Sequence, residues 1–309
     1  MSLYDWIHES KREVAEFGLA GCSGALSKLL VGGGKRLGQR FNYGTSQFER
    51  DWDVLILLDS CRPDYLRRLH EQERYPWIDS IDTTYSPASS SIEWVNKCLK
   101  TLPAEEKAEL AIVSGNGWTE RELDASEFHS VETLLQTYWD GERDILPPEV
   151  VTDHAIRRWR EDDPEKMLVW YIQPHTPYPS IDVDYEFDTE MGDVTDDWTE
   201  TEYARVGVLS DEELRNGYEQ TLALGLDEVG VLAENLDADD VYLSADHAEL
   251  LGEYGLYEHP RWAPIPRLKR VPWVKVNSRD RRTRTPDGSE EHRNESQLEQ
   301  RLQALGYRA

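Results

Sequence analysis

"DVLILLDSCRPDYLRRLHEQ", residues 53–72, opens on an apolar run, stops at Asp59, and resumes in a helix-like pattern after Pro63. The run 53–58 is continuous rather than alternating, as expected of a strand buried on both faces of a parallel sheet. Four more runs share that character: "ELAIVS" (109–114), "MLVWYI" (167–172), "DVYLS" (240–244) and "VPWVKV" (271–276). Helical patterns separate them, at "SIEWVNKCLKTL" (91–102), "PPEVVTDHAIRRWRED" (147–162) and "SDEELRNGYEQTLALGLDEVGVLAENL" (210–236). Alternating strands and helices predict an α/β protein, a three-layer α/β/α sandwich around a largely parallel central sheet. No internal repeat interrupts this order.

In such sheets ligands gather outside the carboxyl ends of the strands. The first strand ends at Asp59, the third leads into "QPHTPY" with His175, and the fourth leads into Asp246 and His247. Asp59 alone reads as a strand-end carboxylate capping the next helix. Together with Asp246 and His247 it makes a mixed oxygen and nitrogen set, suited to a divalent Zn, Mn, Mg or Ca ion. The stretch "YLSADHAELLGEYGLYEHP" (242–260) adds His259 in a Gly-punctuated segment too irregular for one helix. "YSPASSSIEW" (85–94) sets three serines before a helix, and Ser91 is the best N-cap there, with Ser89 the runner-up for a chemical role. "SGNGW" (114–118) offers Ser114 or Asn116 to an anion pocket, or is a plain structural turn.

The chain of 309 residues carries 61 acidic against 34 basic residues, a net charge of −27, and Arg outnumbers Lys 25 to 9. Such a surface repels nucleic acid and suits a protein kept soluble in concentrated salt, a halophilic reading. The scattered Cys22, Cys61 and Cys98 exclude a disulfide framework or a Cys-based zinc site. No run is long and apolar enough to span a membrane, and the N-terminus lacks the pattern of a secretory signal, so the default is a cytoplasmic protein. Leu3, Trp6, Ile7, Val14 and Phe17 recur at helical spacing, followed by Leu26, Leu29 and Leu30. That face packs on the protein's own core or makes a peripheral membrane contact. Three segments are expected: an N-terminal helical segment (1–45), a catalytic domain (46–280), and a polar loop with a C-terminal helix at "SQLEQRLQALGY" (281–309) packing on it. The acidic stretch 182–203 reads as an exposed loop or lid.

These motifs resemble, in order, those of the sulfatase and alkaline-phosphatase superfamily, especially its sulfatase-like branch. "DVLILLDSCRPDYL" is similar to the family's opening strand and metal-binding Asp, and "YIQPHTPY" to its Pro-His-x-Pro-Tyr segment. "YEQTLALGLDEVGVL" resembles its Tyr…Asp…Gly helix, "SADHAELLGEYGLYEHP" its Asp-His-Gly-Glu region with Ala248 for the Gly, and "RVPWVKV" its Val-Pro strand. The resemblance covers about residues 50–277. It implies an alkaline-phosphatase-like fold, with Asp59, Asp246 and His247 holding a divalent metal ion. It further implies a serine nucleophile, Ser91 or Ser89, and roles for His175 and His259 as substrate contacts, proton donors or ligands of a second metal.

The formylglycine signature Cys-x-Pro-x-Arg is missing: "CRPDY" has Tyr65 in place of the Arg, and Cys61 reads as a packing residue at a helix start. The implied activity is therefore metal-dependent transfer or hydrolysis of a phosphate mono- or diester. A sulfuric ester hydrolase is the nearest alternative, and a non-catalytic binder of an anionic glycan or lipid head group the more distant one. The substrate class is a small or glycan- or lipid-linked anionic ester.

Overall fold

The structure, a computed structural model, describes residues 3–18, 38–39, 43–183, 185 and 198–286. Among these, seven strands form the central sheet: β1 (Val54–Leu58), β2 (Asp82–Tyr85), β3 (Leu110–Ser114), β4 (Ser130–Thr133), β5 (Lys166–Tyr171), β6 (Val241–Ser244) and β9 (Arg270–Lys275). A small antiparallel pair, β7 (Leu250–Leu251) and β8 (Tyr257–Glu258), lies outside it. The order across the sheet is β2-β9-β6-β1-β5-β3-β4. The run from β6 through β1, β5 and β3 to β4 is parallel, whereas β9 and β2 close one edge antiparallel. All five residues of β1 are buried, which requires the unbroken apolar sequence they have.

Helices surround the sheet: α1 (Leu3–Phe17), α2 (Pro63–His70), α3 (Ser91–Trp94), α4 (Gly117–Glu122), α5 (Pro148–Asp162), α6 (Glu200–Arg205) and α7 (Asp211–Ala233). Pro63 opens α2, where its missing N–H costs no bond. Ser210 and Glu213 close a reciprocal capping box on α7. Gly225 lets α7 come close to the strand ends, since a Cβ there would stand 3.1 Å from Gln173 Cβ. α1 is fastened to the body by an ion pair between the buried Glu13 and Arg205 of α6 at 3.0 Å, while Ile7 and Val14 stay exposed. No described helix is long and apolar enough to cross a membrane.

The stretch 182–203 is not loop throughout, because α6 begins at Glu200. Leu26, Leu29, Leu30 and the helix expected at "SQLEQRLQALGY" lie outside the described residues. Cys61 and Cys98 are free and buried, and burial pushes the Cys61 thiol far up. Cys61 is thus an inert packing residue.

Candidate active site and metal centre

Strand register assembles the site. Leu57 of β1 pairs with Ser244 of β6, so two residues further on Asp59 stands level with Asp246, one strand spacing of about 4.8 Å away. Leu58 pairs with Tyr171 of β5, which brings the turn holding His175 to the same end. The chain turns sharply after Asp59, with Ser60 in the left-handed region at φ 64°. Tyr218 of α7 pins that turn: its hydroxyl donates to Ser60 O at 2.8 Å and accepts from Arg62 N at 2.9 Å.

Asp59, Asp246 and His247 are all buried, each offering a ligand atom within 4.8 Å of the others. Asn116 Nδ2 donates to Asp59 Oδ2 at 2.6 Å, Ser60 Oγ donates to Asp59 Oδ1 at 3.0 Å, and Ser60 N donates to Asp246 Oδ1 at 3.2 Å. His247 Nδ1 lies 3.1 Å from Ala248 O, and an imidazole nitrogen against a carbonyl must carry the proton. His247 Nε2 faces Asp246 Oδ2 at 3.1 Å, Ser91 Oγ at 3.2 Å and Asp59 Oδ1 at 3.8 Å. These acceptors crowd a buried space that calls for a positive charge, supplied by a proton on Nε2 or by a metal ion in its place. The donor set of two carboxylates and an imidazole fits a divalent metal ion.

The charges show the same strain. Burial and the neighbouring Asp246 push the Asp59 carboxyl up to about 7. Burial works against the Asp246 carboxylate too, yet His247 holds it below the usual range. Burial would lower His247, but Asp246 and then Asp59 lift it to about 9.

Ser91 joins this cluster. Its Oγ lies 3.2 Å from His247 Nε2 and 3.4 Å from Asp59 Oδ2. It is the first residue of α3 rather than the N-cap expected from sequence. Ser90 takes the cap position and makes no side-chain capping bond. Beyond Trp94 the helix widens into a π turn, Val95–Leu99, a deformation frequent at functional sites. Trp94 anchors the helix, with its ring 5.0 Å from that of Trp170 and its Nε1 donating to Gln47 Oε1 at 2.9 Å. Gln47 Nε2 in turn donates to Ala245 O at 2.8 Å, so one buried amide ties the Ser91 helix to the strand end carrying Asp246.

Ser89 is engaged elsewhere. Its Oγ lies 2.7 Å from Glu93 Oε2 and 2.9 Å from Pro260 O, and it accepts from Ala263 N at 2.9 Å. Asn116, expected as a substrate contact, uses its amide inside the protein: Nδ2 on Asp59, and Oδ1 accepting from Trp118 N at 2.9 Å. Ser114 Oγ accepts from Asn116 N at 3.0 Å within the turn.

His175 and His259 stand together, ring centres 5.0 Å apart, and the His259 ring lies 4.5 Å from that of His247. His175 Nδ1 donates to Thr176 O at 2.7 Å and His259 Nδ1 to Glu249 Oε2 at 2.9 Å, so each leaves Nε2 for other work. Burial lowers both imidazoles below the ordinary histidine range, against the pull of Glu249. Burial also opposes the Glu249 charge, but His259 holds that carboxylate low. His259 keeps 24% of its side chain exposed and marks the open side of the cluster.

Sequence reasoning gave no role to Ser60, Gln47, Glu93 or Glu249. Glu249, two residues after His247, was the most accessible of them. Gln47 had no local signal, since Ala245 lies 198 residues away, and nothing near Glu93 signalled its contact with Trp262, 169 residues on.

No protein-family model matches the chain, and no curated protein matches its sequence. Solved structures do. One is the integral membrane lipooligosaccharide phosphoethanolamine transferase A (EptA) from Neisseria meningitidis, at 15% identity and TM-score 0.45, over 74% of this chain and 48% of that one. Another is the C-terminal periplasmic domain of phosphoethanolamine transferase EptC from Campylobacter jejuni, at 15% identity and TM-score 0.41, over 72% of this chain and 77% of that one. The soluble domain of the Neisseria EptA matches at 16% identity and TM-score 0.39, over 76% and 80%. These neighbours are named as phosphoethanolamine transferases. The chain spans about half (48%) of the full-length EptA. The cytoplasmic expectation is corrected here: the neighbours are an integral membrane protein and a periplasmic domain, so the cytoplasm is withdrawn as the location. It had rested on missing signal and span patterns, which do not fix a compartment.

Proposed function

We propose that this protein is a metal-dependent enzyme that transfers a phosphoryl-type group from an anionic ester, with Ser91 as the nucleophile. The observation that carries the reading is the Ser91 hydroxyl, set 3.2 Å from His247 Nε2 and 3.4 Å from Asp59 Oδ2 in a buried cluster of acceptors. Asp59, Asp246 and His247 would hold a divalent ion, which supplies neutralising charge for the phosphoryl oxygens and favours the serine alkoxide.

The chain's own part follows from its geometry. Ser91 Oγ, its proton released to solvent, forms a bond to phosphorus while the bond to the leaving oxygen breaks in line with it and that oxygen takes a proton from water. Asn116 and Ser60 keep Asp59 oriented through the step. His259, open on one side and unprotonated at neutral pH, accepts at Nε2 the proton of the water or acceptor hydroxyl that next attacks the phosphoserine. His175, beside it, lines the same space. A serine sulfate has no comparably easy release by attack at the central atom, so phosphate esters are the preferred class over sulfate esters.

The test is Ser91→Ala, assayed on aryl phosphate monoesters, phosphodiesters and sulfate esters after metal loading. Turnover of phosphate esters should fall on the order of a thousandfold or more, with metal content and thermal unfolding unchanged. A chelator should abolish wild-type turnover and a divalent metal restore it. An active Ser91→Ala protein, or wild-type preference for sulfate esters, overturns the reading.

A further inference from the structure

Two arginines share one indole beside this site. Arg121 of α4 places its guanidinium carbon 4.9 Å from the centre of the Trp118 ring, and Arg261 places its own 4.8 Å from the same centre. Both side chains are exposed, and among the described residues neither makes an ion pair or a side-chain hydrogen bond. Two acids that reach them electrostatically are engaged. Glu122 pairs with Lys100 at 2.7 Å, and Glu93 accepts from Ser89, from Trp262 N at 3.0 Å and from Lys97 at 3.0 Å. Burial and the charge of Arg121 both disfavour the charged form of Arg261. Glu122 and Glu93 act on Arg261 against the charge of Arg121, but neither forms an ion pair with either guanidinium.

Their position gives them a use. Trp118 N donates to Asn116 Oδ1 at 2.9 Å, and Asn116 Nδ2 donates to Asp59 at 2.6 Å. Arg261 follows His259 by two residues, about 7 Å of chain, and the next residue, Trp262, is fixed by the Glu93 of the Ser91 helix. Arg121 thus lies on the helix capped by Asn116, and Arg261 on the segment that runs on from His259, both elements that the site's own residues hold in place. Resting on an indole restricts each guanidinium, so little rotamer freedom is left to lose when a ligand binds. A guanidinium is also the side chain best suited to bidentate contact with phosphate or carboxylate.

We infer that Arg121 and Arg261 form a recognition site for a second anionic group, phosphate or carboxylate, on the substrate whose ester reacts at Ser91. The inference rests on the function proposed above. It narrows the substrate to a phosphoester with a further negative charge on the side facing Trp118. The remaining acidic surface repels such a molecule, so this pair sets the direction from which it enters.

The experiment uses 4-nitrophenyl phosphodiesters whose second alcohol carries a terminal carboxylate two to six carbons away, each beside its neutral methyl-ester counterpart. Binding is read by calorimetry on metal-loaded Ser91→Ala protein, and turnover separately on the wild type. At the best chain length the carboxylate compound should bind at least about tenfold more tightly than its neutral counterpart, one bidentate charged contact's worth. Arg121→Gln/Arg261→Gln should erase that ratio while changing the neutral compound's affinity less than about twofold, since no described contact of the site is lost. A carboxylate preference without wild-type turnover would sink the proposed reaction and leave the recognition site standing. A ratio near one at every length, no binding of either compound, or a preference that survives both substitutions overturns the inference.

Discussion

Glu249 is a buried carboxylate on the segment between β6 and β7. Its Oε2 accepts from His259 Nδ1 at 2.9 Å, and its field reaches His175 and His247 as well. Burial holds the His259 imidazole below the ordinary histidine value of 6.5, and Glu249 partly offsets that fall. If neutral His259 is the base, activity is complete above its pKa and lost as pH falls through it, so the acid limb lies below 6.5. Glu249→Gln keeps the shape and an acceptor oxygen but removes the charge that favours the imidazolium. The His259 pKa then drops further, and the acid limb of kcat/KM moves to lower pH. The pH–rate profile of the variant checks this. A limb that stays in place or moves upward would mean that His259 does not titrate in the rate-limiting chemistry.

At the scale of elements, β4 is a half-buried edge strand held by charge as much as by apolar contact. Its Glu132 accepts from His154 Nδ1 at 2.6 Å, Arg157 at 3.0 Å and Arg158 at 3.1 Å, all from α5. Burial would raise the Glu132 carboxyl, but His154 and Arg158 hold it down to about 2, against an unfolded value of 4.5. A carboxylate depressed in the folded state stabilises above the unfolded pKa, and that contribution is lost as pH falls from 4.5 through the folded value. Glu132→Gln should therefore cost about 1–2 kcal/mol at pH 7, after discount for partial exposure. The difference from wild type should shrink as pH is lowered toward about 3, and urea unfolding across pH measures it. A constant difference would assign the loss to packing.

The same strand shows what the sequence concealed. β1, β3, β5, β6 and β9 appear within about two residues of their apolar runs, because strands covered on both faces need continuous hydrophobic sequence. β2 ("DTTY") and β4 ("SVET") lie at the two edges, where polar side chains meet water, and so they carry no such run. Asp59, Asp246, His247 and Ser91 were legible because each follows a strand or opens a helix. The supporting contacts were not: Gln47 reaches Ala245, and Asn116, singled out for an anion pocket, reaches Asp59 only because strand register brings them together.

For the whole molecule, two electrostatic effects compete as salt is added. Local ion pairs are the first. Those at the surface, such as Lys275–Asp240 and Arg281–Glu234, are worth about 0–1 kcal/mol each and weakened by screening, whereas buried ones such as Glu13–Arg205 are barely screened. Self-repulsion of a net charge of −27 is the second, and it opposes the compact state at every point of the surface. Screening shortens the Debye length from about 10 Å at 0.1 M to about 3 Å at 1 M, well below the spacing of most surface charges but comparable to the length of a contact pair. Long-range repulsion is therefore lost first and the contact pairs last, so folding should gain. The midpoint of thermal unfolding should rise by several degrees between about 0.1 and 1 M potassium chloride, where about 1 kcal/mol corresponds to roughly 2–4 °C for larger chains. Turnover of an anionic ester should rise over the first part of that range, as repulsion of the substrate is screened, then fall once the Arg121–Arg261 attraction is screened too. Unfolding measured by calorimetry in parallel with kcat/KM separates the two. A midpoint that falls with salt would show that local pairs, not net charge, govern this fold.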